Sequence, residues 1–258
     1  MPFTLAHGAA ALPFRRTRLE LSALLTGCFA PDFMYFLRLA PRGHFGHTLP
    51  GLLLFDLPAG VAALFLFHAY AEQPLSIYLP AGIRARLKPG AERFAFAPPA
   101  RFALIALSIL IGAATHILWD SFTHRDYWPA LHWSFLRRKV QFPFAGPVPT
   151  YKLLQHGSTV VGLAILAIWV FLWYRGTQPA GEPPAHSYTA SQRIVILVIV
   201  PLVAGLAALS RALLGVGAPA GHAKIVPFFV DAGISGVTFF TFGILLCGVF
   251  FRTARLNR

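Results

Sequence analysis

The sequence predicts an all-α, polytopic helical membrane protein with about five to six membrane helices. Three observations predict it. Mean hydropathy is +0.62, and charged residues make up 12% of the 258 residues, about half the share of an ordinary soluble domain. Five stretches are also apolar over roughly the 20 residues that a helix needs to cross a hydrocarbon core about 30 Å thick.

Along the chain, PFTLAHGAAALPF is broken by Pro and His and followed by Arg15, Arg16 and Arg18. That order is wrong for a cleavable signal, and none is expected. Residues 19–37 are apolar but carry Glu20, Pro31 and Asp32, so a packed or half-inserted helix pair is expected there. Full spans are expected at 51–70, 102–121, 158–174, 194–214 and 226–250. The 71–101 loop is rich in Pro and Arg and suits the headgroup layer. Residues 176–192 (GTQPAGEPPAHSYTAS and Gln192) read as a polar linker. It divides a polar-rich part, 1–175, from a C-terminal pair of membrane helices, 193–258. No internal repeat is evident. Cys28 and Cys247 lie far apart in apolar surroundings and read as buried free thiols.

The net charge of +13 comes from basic residues scattered over short loops. Without a long basic run or an RNA-binding signature, nucleic acid is not an expected partner; anionic lipid headgroups are. With five spans, twelve basic residues fall on one face and ten on the other, which leaves orientation unassigned.

Histidines concentrate on one of those faces. The stretch THILWDSFTH ends a predicted span and carries His116, Asp120 and His124 at intervals of four. A spacing of four puts His116 and Asp120 on one helix face. There an imidazole nitrogen and a carboxylate oxygen can hold one divalent metal, or simply hydrogen-bond each other at a helix end. An ionised Asp at a membrane-helix centre costs about 2.5–3.5 kcal/mol, less toward the interface. Asp32 in GCFAPDFMYF and His47 in HFGHTLP sit in similarly polar-poor contexts and join the candidate set. His44, His132 and His156 are weaker candidates. Asp56 and Asp231 lie within spans and read equally as functional or hydrogen-bonded groups. No G-x-S-x-G elbow, Walker loop or H-E-x-x-H is present.

The blocks MPFTLAHGAAALPFRR, GCFAPDFMYFL, GHTLPGLLLFDLP, THILWDSFTH and LLQHGSTVVGL resemble an uncharacterised bacterial multi-pass membrane family, named only as a domain of unknown function. The likeness covers nearly the whole chain and implies the bacterial inner membrane. That family in turn resembles the membrane-bound metal-dependent hydrolases. In ligand order it is distantly similar to zinc-dependent phospholipase C and the single-strand nucleases. The resemblance implies that Asp32, His47, His116 and Asp120 hold one metal, expected to be zinc. It implies that His7 joins a bridging Asp120 on a second metal, helped by His124. Asp120 is the residue expected to carry catalysis. The chain lacks the N-terminal tryptophan of the soluble enzymes and has Val160 where they carry Glu, so one or two metals are expected rather than three.

The leading expectation is a metal-dependent hydrolase at the membrane surface, acting on a phosphoester or lipid-linked substrate. Arg42 or Arg125 would be available to a phosphate. The competing class is a non-enzymatic metal-binding or transport protein.

Overall fold

The computed structural model describes residues 3–87, 94–142, 146–179, 188–219 and 222–256. The chain is helical almost throughout, and among the described residues five helices are long and apolar enough to cross a membrane: Leu49–Ser76, Pro99–His132, Thr150–Gly176, Ala190–Gly215 and Lys224–Arg252. It is a multi-pass membrane protein. Residues 180–187, the middle of the expected 176–192 linker, lie outside the described residues. Segment 19–37 folds as the broken pair its Pro31 suggested. Helices Leu21–Phe29 and Phe33–Arg38 are joined by a single 3₁₀ turn, Ala30–Asp32, so it is not among the five spans.

Two compact units are discontinuous in sequence. One comprises residues 1–32, 44–61 and 96–175; the other comprises 33–43, 62–95 and 176–258. Residues 33–43 and 62–95 thus group with the C-terminal helices rather than with the rest of the 1–175 part.

The first unit is built on a crossing of Leu21–Phe29 with Pro99–Thr123. Gly27 sits against the backbone of Ile109, and Gly112 against the backbone of Leu24 and Cys28. Only glycine permits this: a Cβ at either position would run into a carbonyl oxygen. The gain is close contact for Ala23, Leu24, Ile105, Ile109 and Ala113, all fully buried. In lipid, where there is no hydrophobic drive between helices, such van der Waals packing holds them together. An N-terminal 3₁₀ segment, Thr4–Phe14, covers this crossing through Ala11, which packs with Leu24 and Cys28. Its start is tied down where the Phe3 amide donates to Thr159 Oγ1 at 3.0 Å.

The second unit centres on the pairing of Ala190–Gly215 with His222–Leu256. The first of these starts at a capping box formed by Thr189 and Gln192. Ala204, Ala208 and Ala212, four residues apart, form a buried small-residue seam. Farther along, Ile196, Val200, Ile244, Cys247 and Phe251 share one apolar cluster. Cys28 and Cys247 are both buried free thiols, as their apolar settings predicted.

Three π-helical turns interrupt the spans: Leu52–Asp56, Phe67–Ala71 and Val195–Ile199. Each closes two or three residues before a proline (Pro58, Pro74 and Pro201). Proline has no amide to donate to the carbonyl four residues back, so the ladder shifts register ahead of it. The first of these turns bears on the site.

Candidate metal centre

The first unit brings five of the six sequence-predicted ligands into one buried cluster. His116 and Asp120 come from the last turns of Pro99–Thr123. His7 comes from the N-terminal 3₁₀ segment, Asp32 from the turn that breaks segment 19–37, and His47 from the turn Phe45–His47. Asp32, His116 and Asp120 have no solvent exposure at all, and His7 and His47 very little.

The distances follow a pattern. His47 Nε2 lies 3.5 Å from both Asp32 Oδ1 and Asp120 Oδ2. His116 Nε2 lies 3.7 Å from Asp32 Oδ1 and 3.5 Å from Asp120 Oδ2. His7 Nε2 approaches the other oxygen of the same carboxylate, Asp120 Oδ1, at 3.3 Å. Good charge-assisted hydrogen bonds run at about 2.7–2.9 Å, so these contacts are too long for that role. They match instead the spacing between donor atoms on one small ion. Bonds of about 2.0–2.2 Å in a tetrahedral shell put neighbouring ligand atoms about 3.3–3.6 Å apart.

Among the described residues, two overlapping triads bring their donor atoms within 4.8 Å of one another, close enough to share an ion: His7, His116 and Asp120; and Asp32, His47 and His116. His116 belongs to both. Asp120 links them, with one oxygen toward His7 and the other toward His47 and His116. His7 and His116 stack with ring centroids 3.7 Å apart, and His47 meets His116 edge-on at 5.2 Å.

Buried polar atoms in folded proteins are nearly always hydrogen-bonded, but several here are not. His7 Nε2, His116 Nε2, Asp32 Oδ1 and both oxygens of Asp120 have no hydrogen-bond partner among the described residues. The second polar atom of Asp32 and that of His116 are well held. The Asp32 Oδ2 oxygen accepts from the Thr4 hydroxyl at 2.6 Å, and His116 Nδ1 donates to the Cys28 carbonyl at 2.7 Å. The second bond fixes the tautomer that leaves Nε2 with its lone pair facing the cluster, as outer-shell partners of metal-binding histidines do. A divalent cation fits this donor set of imidazole nitrogens and carboxylate oxygens.

Electrostatics sets the histidine charges. Burial works to lower His47, but the carboxylates of Asp120 and Asp32 outweigh it and push its pKa up to about 9. His7 is lowered, chiefly by burial. The metal-free centre therefore carries a proton on His47 at neutral pH. A cation must displace that proton, so uptake should strengthen as pH rises from about 6 toward 9. Uptake should also release protons into a weakly buffered solution, read by a pH indicator during metal titration. Metal uptake without proton release at pH 7 would contradict this assignment.

The other candidates divide. His124 is not on the helix: Pro99–Thr123 ends one residue earlier, and His124 is extended. Its Nδ1 donates to the Asp120 carbonyl at 2.9 Å, capping the helix end. It lies 3.7 Å from Asp120 Oδ2 but outside both triads. His44, His132 and His156 are exposed. Asp231 pairs with Arg211 at 3.5 Å in the second unit. Asp56 is fully buried at the end of the π turn Leu52–Asp56, which packs against the turn bearing His47, and neither of its oxygens has a hydrogen-bond partner among the described residues. Thr4 and the Cys28 carbonyl were not singled out in the sequence. For Thr4 the only available signal was its place one 3₁₀ turn before His7.

A family model described as a domain of unknown function, DUF4184, matches residues 1–249. No curated protein and no solved structure matches the chain.

Proposed function

The chain belongs to the DUF4184 family of domains of unknown function, and from the buried centre we propose a membrane-bound, metal-dependent hydrolase of the bacterial inner membrane that acts on a phosphoester or lipid-linked substrate. One observation carries the reading. Unpartnered buried nitrogens and oxygens of His7, Asp32, His116 and Asp120, together with His47 Nε2, converge at 3.3–3.7 Å. That arrangement is costly unless a cation neutralises it.

Zinc is the preferred ion, since imidazole and carboxylate donors suit it. When bound, such an ion lowers the pKa of a coordinated water toward about 7 and polarises a phosphoryl oxygen. The protein's own residues do the rest. Asp32, His47, His116 and Asp120 are the ligands of one ion, and His7 with the second oxygen of Asp120 is the start of a second site. Thr4 and the Cys28 carbonyl keep Asp32 and His116 aimed inward. The apolar helix crossing beside them limits water, which strengthens every charge interaction in the centre.

The purified chain should hold about one zinc or more by elemental analysis. It should hydrolyse members of a phosphomonoester, phosphodiester and phospholipid panel, with activity lost on chelation and restored by zinc. Tightly held metal with no turnover across that panel would favour the second reading, a metal-binding or transport protein. Asp56, buried inside a span and without a hydrogen-bond partner among the described residues, supports that alternative.

A further inference from the structure

The segment that follows His124 has features that neither the fold nor the metal centre requires. Residues 125–152 carry five basic side chains, Arg125, Arg137, Arg138, Lys139 and Lys152, against one carboxylate, Asp126, and all six are exposed. Large aromatics are exposed among them: Trp128 at 61%, Trp133 at 40% and Phe135 at 55%. These rings are ordered against one another. Trp128 stacks on His132 at 4.6 Å, Trp133 stacks with Phe135 at 5.9 Å, and Trp133 also meets Phe122 at 5.5 Å.

The strap is anchored rather than loose. Leu136, Pro129 and Ala130 are buried beneath it. Strands Lys139–Phe142 and Gly146–Pro149 pair antiparallel, and the Thr150 amide and hydroxyl both donate to the Arg138 carbonyl at 2.9 Å. It starts at the metal centre: Tyr127 packs edge-on against His124, which lies beside Asp120.

An exposed, pre-ordered set of indoles interleaved with cations, joined to the end of a membrane span, matches the layer where acyl chains give way to headgroups. Trp favours that boundary because its ring is apolar and its N–H polar, and clustered Lys and Arg there select anionic lipids. We propose that residues 125–139 of the strap bind anionic phospholipid headgroups, with Trp128 and Trp133 at the acyl–headgroup boundary and Arg137, Arg138 and Lys139 on the phosphates. The assignment stands on the strap's own residues. Combined with the hydrolase reading, on which this last step rests, it makes an anionic phospholipid headgroup the substrate class.

The test uses the full chain in mixed micelles with brominated lipids, reading quenching of native tryptophan fluorescence. Dibromo-phosphatidylglycerol should half-quench at a mole fraction at least tenfold lower than dibromo-phosphatidylcholine, since each surface cation contributes about fivefold. Trp128→Phe with Trp133→Phe should remove that high-affinity component. Arg137→Gln, Arg138→Gln and Lys139→Gln together should abolish the preference for the anionic lipid, while the corresponding Lys variants at 137 and 138 keep it. Equal quenching by the two lipids, or a preference that survives the triple Gln substitution, overturns the proposal. His116→Ala separates the two readings. The lipid preference should persist in that variant whether or not metal is lost, and its disappearance there would place the lipid at the metal centre and overturn the strap.

Discussion

Asp120→Asn should bind zinc at least a hundredfold more weakly than the wild-type chain, and should purify essentially metal-free. The asymmetry of its carboxylate is the reason. Oδ1 faces His7 at 3.3 Å, while Oδ2 faces His47 and His116 at 3.5 Å each, so one substitution removes a member of the His7, His116 and Asp120 triad and the carboxylate that links it to His47. Outer-shell changes around metal sites typically cost 10–100-fold in affinity, and loss of a linking ligand should exceed that. Asn keeps the side-chain volume in a fully buried site and adds no cavity, so metal loss can be read separately from unfolding. Asp120→Ala would confound the two. Elemental analysis of the purified variant, with competition titration against a chelator, decides the matter. A full complement of zinc in Asp120→Asn would remove Asp120 from the ligand set.

Gly112→Ala is expected to have the largest effect on the fold. A methyl group at this position would collide with the Leu24 carbonyl oxygen and press on the Cys28 amide. Backbone cannot swing aside as a side chain can, so Leu21–Phe29 and Pro99–Thr123 must move apart. Overpacking costs about 1–3 kcal/mol, and occasionally more; the upper end is expected here. Metal affinity should fall as well. His116 follows Gly112 by one helical turn, and its tautomer-setting bond ends on the Cys28 carbonyl, across the crossing that the methyl group would wedge open. Gly157→Ala is the control, since none of the described residues lies within 4 Å of a Cβ there and Ala is the better helix former. Thermal unfolding in detergent should show a clear loss for Gly112→Ala and none for Gly157→Ala. Equal stability of the two variants would refute the close-crossing argument.

Much of the fold was legible in the chain because lipid is a strict solvent. Every backbone polar group within the membrane must be satisfied internally, so long apolar stretches can only be helices, and each of the five expected spans lies inside an observed one. The His116–Asp120 pair was legible for a related reason, since a spacing of four on a helix defines a shared face whatever surrounds it. The break at Pro31 was visible because proline interrupts the helix ladder. His124 shows the limit of such reasoning: an ideal helix was extended through it, whereas the helix ends at Thr123 and His124 turns back to cap a carbonyl.

By itself, then, the sequence determined the class of protein, the position of its spans and the residue types able to hold a cation, because hydropathy and helical periodicity are local properties. Only the tertiary structure decided that His7, Asp32 and His47, on three separate short turns, meet the end of the Pro99–Thr123 helix. That meeting depends on two glycines letting backbones touch, on a 3₁₀ segment folding over the crossing, and on Thr4 and a Cys28 carbonyl aiming the donors. The π turn that ends at Asp56 was not read either, although Pro58 follows two residues on, because a proline marks a break in the helix ladder without saying what form the break takes. These are contacts between residues 28 to 113 positions apart, and no local pattern encodes them.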